Sequence, residues 1–127
     1  MPIKIGYWIF TLLFTGFYAY SVFGYVTDYG YWASEYERLG YPAYMVGVMI
    51  PVKLAGIVAI LARRPIWLAQ LAYAGFFYHL LLATNAHFQL GEGATVLPLV
   101  LLAFVISSWA TQNGAREQHA AYAPTWR

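Results

Sequence analysis

Four long apolar segments dominate the sequence and restrict the folds that it can adopt. They cover residues 5–26, 43–62, 66–88 and 94–110. A helix needs about 20 apolar residues to cross a hydrocarbon core of about 30 Å, and each segment is close to that length. Only 9% of the 127 residues are charged, whereas a soluble domain carries about 25%. We therefore predict an all-α integral membrane protein with a four-helix bundle.

One bundle accounts for most of the chain, and the charges predict its orientation. We place the bundle in residues 1–112 and expect residues 113–127 to be a cytoplasmic tail without fixed structure. Five basic residues fall on the side that holds this tail: Lys4, Arg63, Arg64, Arg116 and Arg127. The other side has Arg38 as its one basic residue, together with four acidic residues: Asp28, Glu35, Glu37 and Glu92. Because lysine and arginine accumulate in cytoplasmic loops, we predict cytoplasmic termini in a bacterial-type plasma membrane.

The first external loop, residues 27–42, has helical signals of its own. Ser34 and Glu37 have the spacing of a capping box, and Gly40 can end the resulting helix. Three side chains share one face at helical spacing: Trp32, Tyr36 and Leu39. This pattern predicts a short interfacial helix across the external mouth of the bundle, and the alternative is an aromatic-rich loop.

Lys53 lies in the middle of the second apolar segment, where a lysine costs about 2.5–3.5 kcal/mol. Either membrane surface is about 15 Å away, so the side chain cannot easily reach water. We therefore expect Lys53 to face the bundle interior. No acidic residue lies within any of the four segments. The ammonium must then lose its proton or meet an anion from a ligand, a lipid headgroup or a partner subunit. The alternative is a lysine that fixes helix packing or reaches a water pocket.

His79 is the second candidate, near the depth of Lys53 on the third segment. Small residues share its helical face and predict contact with a neighbouring helix: Ala72, Gly75, Ala83 and Ala86. Tyr20 is expected to point inward because Gly16 and Gly24 lie on its face. Six residues are candidates for binding a ligand: Lys53, His79, Tyr20, Tyr78, Asn85 and His87. Lys53 and His79 are also candidates for catalysis by proton transfer, and the alternative for His79 is a hydrogen-bonded core histidine.

Several site classes do not fit the sequence. His79 and His87 are about 12 Å apart along one helix and no other segment carries a histidine, so we expect no metal and no bis-histidine haem. The absence of cysteine excludes disulfides and iron–sulfur clusters. Basic residues form no long cluster, and nucleic acid is not an expected partner. Neither a Ser/His/Asp set nor a phosphate loop is apparent.

Three stretches, taken in order and spacing, resemble the DoxX-like family of small four-helix membrane proteins. They are LGYPAYM at 39–45, KLAGIVAIL at 53–61 and LAYAGFFYHLLLATNAHFQLGEG at 71–93, and the resemblance covers about residues 5–110. Five residues match positions that we associate with recurring residues of the family: Lys53, Gly56, Tyr73, Gly75 and His87. His79 stands in a region that we associate with an acidic residue, so a lysine–histidine pair replaces a lysine–carboxylate pair here.

The resemblance implies a subunit rather than a self-contained redox enzyme. The founding members resemble the membrane subunit of a thiosulfate:quinone oxidoreductase, in which a partner carries much of the chemistry, and others look like assembly factors or chaperones. Our leading hypothesis is a membrane subunit that binds a hydrophobic ligand such as a quinone in an intramembrane polar pocket. A membrane or soluble redox partner would accompany it, and no covalently bound cofactor is expected. The alternatives are a non-catalytic chaperone or scaffold, and a stand-alone isomerase that uses Lys53 and His79.

Overall fold

Four long helices and one short helix form the described part of the chain. A computed structural model describes residues 2–91 and 95–125. The helices are α1 (Pro2–Thr27), α2 (Tyr29–Arg38), α3 (Met45–Ala62), α4 (Ile66–Gln89) and α5 (Val96–Ala115). The four long ones are apolar and long enough to cross a membrane, which confirms the predicted bundle of spanning helices. The predicted start of the fourth span at residue 94, and the charged residues Glu92 and Arg127, lie outside the described residues.

Aromatic side chains fill the centre of the bundle. Helix α1 packs between α3 and α5, and α4 packs between the same two helices from the opposite side. Aromatic rings connect α1 with α4 across the centre of the bundle. The Phe76 ring centroid is 5.5 Å from that of Phe14 and 4.5 Å from that of Tyr18. Since lipid removes most of the hydrophobic drive for helix association, close packing and hydrogen bonds hold the helices together.

A buried trio of hydroxyl groups joins three helices. Ser108 on α5 has its oxygen 2.6 Å from the Thr11 hydroxyl of α1 and 2.7 Å from the Tyr73 hydroxyl of α4. All three residues are buried. Each hydroxyl would otherwise lack a partner in an apolar interior, so the trio favours one registration of α1, α4 and α5.

Gly56 permits the close approach of α3 to α4. A Cβ atom built at Gly56 would lie 2.7 Å from Cζ of Phe76, and this ring is held by Phe14 and Tyr18. We expect Gly56→Ala to lower the free energy of unfolding by about 1–3 kcal/mol, because the ring has no open space into which to move. Unfolding titrations in mixed micelles measure the loss.

Gly16→Ala is the matched control for this packing test, since a Cβ at Gly16 would meet no atom within 4 Å. We expect Gly16→Ala to keep the stability of the wild type or slightly exceed it, because alanine favours helix. Phe76→Leu should restore part of the loss in the Gly56→Ala background. Equal stability of the two alanine variants would contradict the proposed contact.

Helix α2 covers one end of the bundle, as the sequence predicts. Trp32, Tyr36 and Leu39 are half-buried, and the Trp32 ring packs on Tyr25 with centroids 5.4 Å apart. The helix ends in a Schellman motif at Gly40, whose φ is +93°, while the Tyr41 amide donates to the Tyr36 carbonyl at 2.9 Å. The prediction that Ser34 begins the helix is wrong. Asp28 precedes the helix, and the Ser34 hydroxyl donates within it to the Tyr31 carbonyl at 2.7 Å.

Residues 116–125 fold back against the opposite end of the bundle, so the expected unstructured tail is wrong for this part. The Arg63 guanidinium, which is buried, donates from Nη2 to the Gln118 carbonyl at 2.6 Å and from Nη1 to Oε1 of Gln112 at 2.7 Å. The side chain of Asn113 donates to the carbonyls of Ala120 and Ala123 and accepts from the Ala120 amide at 2.7 Å. Side chains of Arg63 and Asn113 thus satisfy backbone groups of residues 118–123, which lie outside the helices.

Candidate functional site

Lys53 lies inside the bundle, as predicted from its depth. Its side chain is 3% exposed, and Nζ donates to the Ser21 hydroxyl at 2.9 Å and to the Tyr25 hydroxyl at 3.0 Å. Nζ also lies 4.2 Å from the centroid of the Tyr25 ring and 5.3 Å from that of Tyr18. Two hydroxyl oxygens and two aromatic faces therefore take the place of water around the amine.

The hydroxyl of Tyr25 links this interior to helix α2. It lies 2.8 Å from the hydroxyl of Tyr36 on α2. Burial, and then the hydrogen bond with Tyr25, raises the pKa of the Tyr36 phenol above its usual range. Tyr36 therefore stays protonated and serves as a neutral hydrogen-bonding group.

His79 meets the same cluster from α4. Its Nδ1 atom lies 2.7 Å from the Tyr18 hydroxyl, and the direction of this bond depends on which ring nitrogen carries the proton. Tyr18 is buried and His79 is half-buried. Because the Tyr18 ring also faces the Lys53 amine, Tyr18 joins the two sequence candidates into one cluster. We call Tyr18, Ser21, Tyr25, Lys53 and His79 the lysine cluster.

The Lys53 amine and the Nδ1 atom of His79 are hydrogen-bonded within the lysine cluster. Among the described residues, no buried side-chain nitrogen or oxygen lacks a hydrogen-bond partner. One cavity between α4 and α5 and another where α3 and α5 end are lined by neither Lys53 nor His79. A ligand at the Lys53 amine or at Nδ1 of His79 would therefore compete with Ser21, Tyr25 or Tyr18 for these hydrogen bonds.

Three of the other predicted ligand-binding residues do not join this cluster. Tyr20 is 74% exposed, so its expected inward orientation is wrong. The buried face of α1 runs through Tyr18 and Tyr25, and Tyr20 lies on the opposite side of the helix. Tyr78 is 63% exposed, and Asn85 is exposed with its side-chain oxygen accepting from Gln89 at 3.3 Å. His87 is half-buried in the last turn of α4.

The small-residue face around His79 is partly open. Ala86 is buried, and Ala72 and Ala83 are half-buried. Gly75 is exposed, and a Cβ built there would meet no atom within 4 Å. The expected contact of this face with a neighbouring helix of the same chain is therefore absent at Gly75.

An apolar groove lies between α4 and α5 on the outer surface of the bundle. Its volume is about 550 Å³, and residues 120–122 border one end. Its wall includes Gln70, Tyr73, Tyr78 and Trp109. In the described part of the chain, neither the Tyr78 hydroxyl nor the Trp109 indole N–H has a hydrogen-bond partner, so both donors are available to a molecule in the groove. We call this cavity the α4–α5 groove.

Comparisons with known proteins now identify the family. The sequence model of the DoxX-like family matches residues 9–108. The chain belongs to the DoxX-like family. No curated protein and no solved structure gave a match. This DoxX-like protein is a membrane protein with four long apolar helices, and the family match confirms the resemblance seen in the sequence. Among its described residues, no three histidine, aspartate or glutamate side chains form a group suited to a metal ion.

Sequence reasoning missed several polar contacts of the DoxX-like protein. Ser21 and Tyr25 hold the Lys53 amine, and neither residue is among the candidates predicted from the sequence. A signal was present, because Tyr18 and Tyr25 are seven residues apart and Ser21 lies between them on nearly the same helical face. Arg63 showed no comparable signal, since its partners Gln112 and Gln118 are about 50 residues away along the chain.

Proposed function

We propose that this DoxX-like protein is a membrane subunit that holds a hydrophobic molecule of the quinone type in the α4–α5 groove. A redox partner protein, in the membrane or bound to it, would exchange electrons with that molecule. Both termini would lie on the cytoplasmic side of a bacterial-type plasma membrane, because the basic residues are concentrated at that end. The groove is the observation that carries the proposal.

The size and chemistry of the groove support this assignment. Pockets for small molecules have volumes of about 300–1,000 Å³, are largely apolar and hold a few polar groups that fix orientation. The α4–α5 groove has about 550 Å³ and opens sideways, where a molecule dissolved in the bilayer can enter. The Tyr78 hydroxyl and the Trp109 indole N–H can donate to carbonyl oxygens, while Val105 and Ile106 contact an apolar body or chain.

The lysine cluster has a different role in this proposal. The Lys53 amine and the Nδ1 atom of His79 are already hydrogen-bonded, so a ligand at either atom would have to displace Tyr18, Ser21 or Tyr25. We assign Lys53 to fixing α1 against α3, and His79 to fixing α4 against Tyr18. The isomerase hypothesis requires a ligand-sized cavity beside Lys53 and His79, whereas the α4–α5 groove is lined by neither residue.

Titration with a short-chain ubiquinone analogue in detergent tests the proposed site. Ala74 lines the groove and is exposed, so Ala74→Phe fills part of the cavity. We expect this variant to weaken binding by at least about tenfold, or about 1.4 kcal/mol, through steric overlap with the ligand. Lys53→Met should bind the analogue with wild-type affinity, because Lys53 does not line the groove. Quenching of tryptophan fluorescence reports binding.

Ala55→Phe is the matched control, since Ala55 is an exposed alanine on α3 and does not line the groove. We expect its affinity to equal that of the wild type. The groove assignment is refuted if Lys53→Met loses binding while Ala74→Phe keeps it. The ligand site would then be the lysine cluster.

A scaffold or chaperone subunit is the second candidate, and the open face at Gly75 favours it. Gly75 and Gly16 are both exposed with no atom within 4 Å of a built Cβ, so a helix of another membrane protein could approach closely at either position. The hydrogen-bonded Lys53 amine also fits a protein that has no ligand inside its bundle. This role is supported if the wild-type protein binds no quinone analogue and co-purifies with a partner protein in constant ratio.

A further inference from the structure

A second cavity lies at the basic end of the bundle, where α1 begins and where α3 and α5 end. Its volume is about 320 Å³. Four basic side chains line it: Lys4, Arg63, Arg64 and Arg116. Trp8 and Glu117 also contribute to the wall. We call this cavity the basic cleft.

Internal hydrogen bonds hold two of the four cations in place. Arg63 donates to the Gln118 carbonyl in residues 116–125, which we call the C-terminal segment. Arg116 donates from Nη2 to the Leu61 carbonyl at 2.9 Å and from Nη1 to the Tyr7 hydroxyl at 3.2 Å, and its guanidinium carbon lies 5.1 Å from the centroid of the Trp8 ring. Part of the positive charge is therefore built rigidly into the cleft.

The other two cations have no protein partner in the described part of the chain. Lys4 and Arg64 are exposed, and neither side chain forms an ion pair or hydrogen bond with a described residue. Glu117 is the one carboxylate in the lining, so the cleft carries a net charge of +3. Such a concentration of positive charge, with two exposed donors beside two fixed guanidinium groups, suits an anion that can accept several hydrogen bonds.

The position of the cleft identifies the kind of anion. It lies at the ends of three membrane-spanning helices, next to a tryptophan, which is the depth of the lipid headgroups. Basic pockets between spanning helices at this depth bind phosphate-containing headgroups. We propose that the basic cleft binds the phosphodiester group of an anionic phospholipid, with Lys4 and Arg64 closing on it and Arg116 at its base.

Binding of phosphatidylglycerol to the full chain in neutral detergent tests the assignment. Native mass spectrometry counts the bound lipid, and phosphatidylcholine serves as the zwitterionic comparison. We expect Lys4→Gln and Arg64→Gln each to lower the affinity for phosphatidylglycerol by about fivefold, and both together by roughly 25-fold. Glu117→Gln should raise the affinity, because it removes the one negative charge of the lining.

Arg38→Gln is the control with the same change in net charge, and Arg38 lies on α2 at the other end of the bundle. We expect this variant to keep wild-type affinity. Three results would overturn the proposal: equal binding of phosphatidylcholine and phosphatidylglycerol, a loss in Arg38→Gln as large as that in Arg64→Gln, or displacement of the lipid by an equal concentration of inorganic phosphate. The last result would identify a free anion as the ligand.

Discussion

Tyr25→Phe is expected to destabilise the protein more than Lys53→Met, although Lys53 is the buried basic residue. Tyr25 supplies one of the two oxygens that accept from the Lys53 amine and also pairs with Tyr36. A protonated Lys53 amine would then keep a single oxygen partner, Ser21. We expect a loss of about 1.5–3 kcal/mol, the range for a hydrogen bond to a charged group. Unfolding titrations in mixed micelles measure this loss.

Lys53→Met should stay within about 1 kcal/mol of the wild type. The substitution keeps the apolar stem and removes the cost of desolvating the cation, while Tyr25 keeps its bond to Tyr36. The double variant should be more stable than Tyr25→Phe alone, because no cation is then left without its partner. Tyr20→Phe, an exposed tyrosine on the same helix, is the control and should change little. Equal losses in Tyr25→Phe and Lys53→Met would contradict a charged amine at this position.

Arg63→Ala is expected to release the C-terminal segment from the bundle. The guanidinium bonds to both Gln112 and the Gln118 carbonyl, and no other described side chain donates to that carbonyl. Loss of these bonds should raise hydrogen exchange at the Ala120 amide by about 10- to 150-fold, which corresponds to 1.5–3 kcal/mol. Trypsin should also cleave after Arg116 more rapidly.

Two further variants separate the hydrogen bonds of Arg63 from its backbone conformation. Arg63 ends α3 with φ of 59°, a left-handed conformation that glycine adopts without strain. Arg63→Gly relieves this strain but lacks the guanidinium, so it should release the segment as Arg63→Ala does. Arg64→Ala removes the neighbouring exposed arginine and should leave exchange at Ala120 unchanged. Wild-type protection of Ala120 in Arg63→Ala would show that Asn113 holds the segment alone.

The spanning helices and the burial of Lys53 could be predicted because each depends on one segment and its solvent. A run of about 20 apolar residues must form a helix in lipid, whatever its neighbours are, since each backbone group has to be paired within the segment. A cation at the centre of such a helix is similarly constrained to face inward. The short helix α2 at one end of the bundle was predictable from the spacing of Trp32, Tyr36 and Leu39.

The partners of Lys53 could not be predicted in the same way. They depend on the rotation of α1 against α3, and the glycines near Tyr20 indicated a different inward face from the one that the structure shows. Rings of Phe14, Tyr18 and Phe76 fill the centre of the bundle, and this packing turns Tyr18 and Tyr25 inward and Tyr20 outward. A stripe of small residues marks where another helix could approach, but it does not require that the helix belong to the same chain.

The sequence therefore determines the number of spanning helices and the inward position of Lys53. Each apolar segment must pair its own backbone groups in lipid, independently of the other segments. The lysine cluster, the α4–α5 groove, the basic cleft and the docked C-terminal segment exist only in the assembled bundle. Each of them joins residues that are far apart along the chain, such as Arg63 and Gln118 or Tyr18 and His79. Their distances are set by how four helices pack around a shared aromatic core, which no single stretch of the sequence specifies.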